Sequence, residues 1–258
     1  MSEFKRMVAG ELYKASKVEP EYKPDNNRAL NQEINQLNLL DTEKIVALEK
    51  ELFGQTGDEL FVNPPLYIDY GKNTRIGQRF YANMDCIFLD VAPITIGDDV
   101  MFGPRVSLIT ASHPIDAGVR QRGLEYGKAI TIGNRVWLGA GVIVNPGVTI
   151  GENTIVGSGT VVTKSLPANV IAVGNPARIL REITDSDRLY WEEKRTNIMK
   201  NKLLLLLVTL LATCALSACQ KQIQRFISKK AAVSQKVDRS LYRNFYEIFT
   251  SSFADSKS

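Results

Sequence analysis

Histidine is all but missing from this chain: His113 is the only one in 258 residues. A metal centre that one chain builds from several imidazoles is therefore excluded, and no repeated Cys or Asp cluster offers a substitute. Cysteine is nearly as scarce. Of Cys86, Cys214 and Cys219, only Cys86 precedes Met199, so residues 1–198 hold no disulfide framework, which fits a reducing compartment. The start, Met1–Gly10, is polar and charged and lacks the apolar run of a secretory signal. These features lead us to expect a cytoplasmic protein. The basic excess is also missing once the chain is divided. From Met199 onward ten Lys/Arg stand against three acids, which leaves residues 1–198 with 22 basic and 25 acidic side chains. That mildly acidic body gives no electrostatic reason to expect a nucleic-acid partner.

What is present is a period of six. Ile132, Leu138, Val144, Ile150, Val156 and Val162 are branched aliphatics, each followed by a small or polar residue: Gly133, Gly139, Asn145, Gly151, Gly157 and Thr163. A helix needs apolar residues at 3.6 spacing and tolerates glycine poorly. A six-residue period instead describes short strands joined by tight corners and stacked as a parallel β-helix, in which each coil buries its aliphatics against its neighbours. The pattern begins earlier, with Tyr70, Ile76, Ala82 and Phe88, slips by two, and resumes at Ile96, Phe102 and Leu108. The coils thus span about 60–167. They are interrupted once, by an excursion over 111–129 that lacks the hexad texture. Long excursions from a regular solenoid carry function or contacts.

The flanks differ. Residues 1–57 read as a helical cap over the open end of the solenoid, with Phe4, Met7, Val8, Leu12 and Tyr13 on one face, a second helix capped by Asp25, and a third over about Asp41–Phe53 stopped by Gly54. Residues 58–198 form the solenoid domain, closed after Asn175–Pro176 by a strand or short helix. Residues 199–258 are an appended hydrophobic and basic tail. Met199-Lys-Asn-Lys, the leucine run from Leu203 and Leu216-Ser-Ala-Cys219 resemble an internal copy of a bacterial lipoprotein signal. Three readings stay open for it: a fused lipoprotein-like segment, a membrane contact through 203–218 that is short for a span of about 20 residues, and a buried helix. The far end carries an aromatic cluster, Tyr242, Phe245, Tyr246, Phe249 and Phe253.

A bare solenoid is compatible with a scaffold, tethered by the tail, that does no chemistry. His113 argues otherwise. It stands at the root of the single excursion, and an imidazole titrates where a general base works near neutrality. The shortage of histidine counts against the zinc carbonic anhydrases built on the same fold.

Several segments together carry a specific resemblance: Met7-Val8-Ala9-Gly10-Glu11-Leu12-Tyr13, Phe80-Tyr81-Ala82-Asn83, Ser112-His113-Pro114, Trp137 after Asn134-Arg135-Val136, Asn145-Pro146-Gly147-Val148-Thr149-Ile150-Gly151, Val162-Thr163-Lys164 and Gly174-Asn175-Pro176-Ala177-Arg178. The chain from residue 3 to about 192 resembles the maltose/galactoside O-acetyltransferases, most of all the maltose branch. The resemblance implies a left-handed parallel β-helix, assembly as a homotrimer with active sites between subunits, and acetyl transfer from acetyl-CoA to a sugar hydroxyl without a covalent enzyme intermediate. It assigns His113 as general base. It places Asp69 and Asn83 on the acceptor side, with Glu125 orienting His113 or meeting the sugar. It places Ala140 and Ser158 along the pantetheine arm, and Thr163, Lys164, Arg178 and Arg181 at the phosphates or adenosine. Trp137 is assigned to the cofactor groove, the core or the trimer contact. Departures from the galactoside branch at Lys14-Ala15-Ser16, Val91 and Ala140 leave the acceptor open: glucose or maltose, or an antibiotic, oligosaccharide or surface glycan.

Overall fold

The structure, a computed structural model, describes residues 1–231. The aromatic cluster from Tyr242 to Phe253 lies outside the described residues. Two compact units divide at Asp185 and Ser186.

The first unit is a parallel β-solenoid with three faces. Its first face stacks Leu60–Val62, Phe80–Ala82, Met101–Phe102, Trp137–Leu138, Ile155–Val156 and Val170–Val173, ending on the antiparallel strand Arg178–Glu182. The second face stacks Leu66–Ile68, Cys86–Leu89, Ser107–Ile109, Ile143–Val144 and Val161–Val162. The third stacks Thr74–Ile76, Ile94–Ile96, Ile130–Ile132 and Thr149–Ile150. The hexad aliphatics from Ile132 to Val162 all point inward and are buried. Outward residues differ by face. Tyr81, Met101 and Trp137 on the first, and Tyr67 and Ile143 on the second, are large apolar groups left exposed, whereas Arg75, Thr95, Thr131 and Thr149 make the third polar. Trp137, 48 % exposed, is therefore not a core residue.

Register explains the slipped phase. Ala82 pairs with Val62, twenty residues earlier, and Phe102 with Ala82, again twenty; Val156 pairs with Leu138, only eighteen earlier. The early coils carry two extra residues at the corner between the second and third faces, so the inward series runs Ile68, Ile76, Ala82, Phe88, Ile96. Tyr70 is not in it. It falls in the widened corner and packs, half-buried, with Met7, Tyr13, Val18 and Val91 in a separate cluster. The excursion leaves from this same corner. It is a hairpin of Ala111–Ser112 and Leu124–Gly127 around the short helix Ala117–Arg120, and Tyr13–Lys14 adds a third antiparallel strand.

The cap contains three helices, α1 (Glu3–Val8), α2 (Asp25–Gln36) and α3 (Thr42–Leu52). Helix α1 stops before Leu12 and Tyr13. Gly10, at φ 77°, turns the chain while its N–H reaches the Met7 carbonyl, which frees Tyr13 to become a strand residue. Asp25 is the first residue of α2 and not its cap, because the first helical bond runs from the Arg28 N–H to the Pro24 carbonyl.

Polar side chains of the cap replace the missing coil above the first one. On α2, Asn35 Nδ2 donates to the Leu66 carbonyl (2.7 Å) and its Oδ1 accepts from the Leu66 N–H (2.9 Å). Asn31 Oδ1 accepts from the Ile68 N–H (3.2 Å), and Asn27 Nδ2 donates to the Tyr70 carbonyl. On α3, both Glu49 oxygens accept from the Val62 N–H (3.1 and 3.2 Å). The strand edge that would otherwise template aggregation is thereby satisfied.

Glu49 is fully buried, and burial pushes its carboxyl up to about 8, against a partial pull downward from the Val62 N–H. In the folded chain this acid keeps its proton up to about pH 8, whereas the unfolded chain releases it near 4.5. Stability from this group is therefore full below pH 4.5 and falls as pH rises to about 8. Glu49→Gln keeps an acceptor for Val62. We expect thermal melts of the variant to lose that decline and to lie about 4–8 °C above the parent at pH 8, for about 2 kcal/mol. Parallel pH slopes in the two proteins would contradict this.

The closing segment is both strand and helix: Val170–Val173 and Arg178–Glu182, then α4 (Asp185–Ala231). Among the described residues the second unit is this helix, which begins one residue before the division and runs past Met199 without a break. Leu189, Tyr190, Trp191 and Leu204–Leu206 are exposed on it. Among the described residues no helix is long and apolar enough to cross a membrane.

Candidate active site

The expected site residues fall on two edges of the prism. Along the edge between the first and second faces, Asn83 stands two coils before Ala140, with Gly103 between them, and Ser158 follows Ala140 in the next coil. Asn83 N–H meets the Phe102 carbonyl (3.0 Å), and Gly159 N–H meets the Ala140 carbonyl (2.8 Å). This edge is low and open: a methyl group added at Gly159 would meet nothing within 4 Å. At its far end Arg178 pairs with Val173, and its Nη1 donates to the Ala177 carbonyl (3.0 Å). Arg181 is exposed on the same strand and donates to the Glu182 carbonyl (2.8 Å). The other edge, between the second and third faces, carries Asp69, the excursion with His113 and Glu125, and then Thr163 and Lys164, both exposed. A four-residue strand such as Cys86–Leu89 separates the edges, about 13 Å at 3.3 Å per residue.

His113 follows the strand Ala111–Ser112 and is exposed. Ser112 pairs with Tyr126 and Tyr13 pairs with Glu125, so the register continued by one residue sets position 113 beside Glu125. Glu125 nevertheless does not hydrogen-bond His113. Its Oε2 accepts from the Tyr13 hydroxyl at 3.0 Å. Tyr13 is buried, and burial, with the adjacent Glu125 charge, holds its proton well above the usual phenol range. Asp69 is ion-paired to Arg28, which α2 supplies. Beneath it, Asp90 is fully buried and accepts from the Tyr70 N–H (2.7 Å) and Thr74 Oγ1 (2.9 Å); burial pushes its carboxyl up to about 6. Among the described residues no group of His, Cys, Asp and Glu is placed to hold a metal ion.

Tyr13, Arg28 and Asp90 were not among the expected site residues. Tyr13 and Arg28 sit within helical-looking sequence, where a spacing pattern assigns them to a face and says nothing of a partner far along the chain. Asp90 reads as a corner residue until its depth is known.

A cap, a hexad solenoid and a polar excursion at one widened corner define an acyltransferase of the hexapeptide class. Residues 129–164 match the family described as bacterial transferase hexapeptide (six repeats), and residues 6–57 match the maltose acetyltransferase hexapeptide capping motif. The galactoside O-acetyltransferase of Lactococcus lactis is 39 % identical over 188 residues, which cover 72 % of this chain and 91 % of that protein. A maltose O-acetyltransferase from Clostridium difficile 630 superposes with a TM-score of 0.69 at 42 % identity, over 71 % of this chain and 98 % of that one. A galactoside acetyltransferase in complex with coenzyme A gives 0.70 at 41 % identity, over 73 % and 94 %. The chain belongs to the maltose and galactoside O-acetyltransferase family.

Proposed function

We propose that the protein transfers an acetyl group from acetyl-CoA to a sugar hydroxyl, with His113 as general base. The observation that carries this is the placement of the sole histidine: exposed, at the end of a strand, on the one excursion from a regular solenoid. The imidazole takes the proton of the acceptor hydroxyl as that oxygen attacks the thioester carbonyl. The new C–O bond forms, the C–S bond breaks, and the leaving thiolate is protonated to the free thiol. Asp69, Asn83 and Glu125 orient acceptor hydroxyls, which a carboxylate or amide suits. Ala140 and Ser158 are small enough for the pantetheine arm to lie against the backbone, and the exposed cations Lys164, Arg178 and Arg181, with Thr163, suit its phosphates.

The two edges bear on assembly. Asn83, Ala140 and Ser158 stand on one and His113 on the other, so a second copy that sets its own histidine edge against this open edge completes the site. The exposed apolar columns of the first and second faces flank that open edge. We read this as a closed, head-to-tail ring, the homotrimer. The tail from Met199 lies beyond the acetyltransferase and acts as an address, with its basic flanks and residues 203–218 touching an anionic membrane surface.

The test is thiol release from acetyl-CoA across glucose, maltose, galactosides, longer oligosaccharides and aminoglycosides. A sugar should give turnover that tracks enzyme concentration; a response only to a non-sugar acceptor would move the assignment, and none with any acceptor would leave a scaffold. Intact mass and sedimentation with anionic vesicles, run on the same preparation, read the tail: a mass ending before Met199 or no co-sedimentation removes the membrane contact.

A further inference from the structure

We propose that the helical cap is part of the acceptor site, with Tyr13 and Arg28 serving as positioning residues for Glu125 and Asp69. This rests on reading those two carboxylates as acceptor-side groups.

Each carboxylate is tied by one oxygen and presents the other. Glu125 Oε2 is held by the Tyr13 hydroxyl at 3.0 Å, and Asp69 Oδ1 by Arg28 Nη2. Among the described residues, Glu125 Oε1 and Asp69 Oδ2 carry no protein hydrogen bond. A carboxylate fixed in this way cannot swivel, so its second oxygen points in one direction toward a hydroxyl. The Tyr13 tether is itself fixed, and the Arg28 tether springs from an anchored helix although its guanidinium is exposed. Tyr13 is 1 % exposed and lies in a strand paired in register with Leu124 and Glu125. Arg28 stands on α2, which Asn27, Asn31 and Asn35 bind rung by rung to the strand beside Asp69. The two pairs also share one neighbourhood: Tyr70, beside Asp69, packs with Tyr13, and burial together with the Asp69 and Glu125 charges pushes its phenol up to about 12. The cap thus sets the spacing between two acceptor-binding oxygens, and with it which pair of hydroxyls fits.

The experiment varies acceptor concentration at saturating acetyl-CoA for Tyr13→Phe, Arg28→Ala, Arg28→Lys, Glu125→Gln and Asp69→Asn. Tyr13→Phe and Arg28→Ala should each raise the acceptor KM about tenfold, with kcat within threefold and the acetyl-CoA KM unchanged. Arg28→Lys should recover part of the loss. Tyr13→Phe combined with Glu125→Gln should be no worse than Glu125→Gln alone. A merely structural role would lower both KM specificity and melting temperature without that split. If Glu125→Gln and Asp69→Asn raise the acceptor KM while Tyr13→Phe and Arg28→Ala leave it at the parent value, the cap has no part in the site and the proposal is wrong. If the carboxylate variants are neutral as well, the acceptor-side reading fails and takes the proposal with it.

Discussion

His113→Ala should lose about 10²–10⁴-fold in kcat with acetyl-CoA and a sugar acceptor, the usual range for removing a positioned general base. The exposed position makes this a clean measurement. A side chain with no buried contacts costs little on removal, within about 0.5 kcal/mol for surface sites, so the variant should melt with the parent and any rate loss belongs to chemistry. Acetyl-CoA affinity by calorimetry should hold, because His113 is not among the residues assigned to the cofactor, Ala140, Ser158, Thr163, Lys164, Arg178 and Arg181. Initial rates of thiol release provide the readout. A variant that stays within threefold of the parent removes His113 as the base, and the next groups to test would be the two acceptor-side carboxylates.

The second large effect is on the fold. Gly133→Ala should destabilise by about 3 kcal/mol, a loss of about 6–12 °C in Tm. A methyl group there would lie 2.7 Å from the Glu152 nitrogen, 2.9 Å from its Cα and 3.0 Å from the Gly151 carbonyl carbon. All three are backbone atoms of the next coil, and that coil is held at fixed spacing by the bond from Gly133 N–H to the Ile150 carbonyl at 2.8 Å. No side chain can rotate away. Gly159→Ala is the companion measurement. Gly159 has φ 73° and open space around it, so its cost is the left-handed conformation alone, about 1–2 kcal/mol. If thermal melts showed the Gly159 variant to be the weaker of the two, stacking distance would not be what the glycine column protects.

That pair of glycines also shows what was readable in the sequence. The period of six carried the solenoid because each coil repeats one buried position, and repetition is visible without coordinates. Among the described residues seven non-glycine residues, among them Asp85, Arg105, Arg135 and Asn153, take positive φ, as do Gly141 and Gly159, while Gly133 is kept for closeness of approach. Distance between coils leaves no trace in spacing along the chain. The phase slip between Phe88 and Ile96 was legible, but the earlier one between Ile68 and Ile76 was missed, since Tyr70 is apolar enough to pass for an inward residue and only its cluster with Tyr13 shows where it packs. The candidate site divides in the same way. His113 stood out by rarity, and Asp69 and Glu125 by resemblance. Their tethers, Tyr13 and Arg28, are separated from them by 112 and 41 residues and belong to no shared period.

The asparagine ladder on α2 works as a vernier. Four residues of helix advance about 6.0 Å, and two residues of strand about 6.6 Å, so each rung drifts by about 0.6 Å, roughly the full tolerance of a good hydrogen bond. Centred on Asn31, three rungs stay in step and a fourth would not. A helix can therefore impersonate a strand only across a sheet three or four residues wide. The solenoid's faces have that width, which makes them a sheet that a single helix can finish; a broader sheet would outrun it and need another strand.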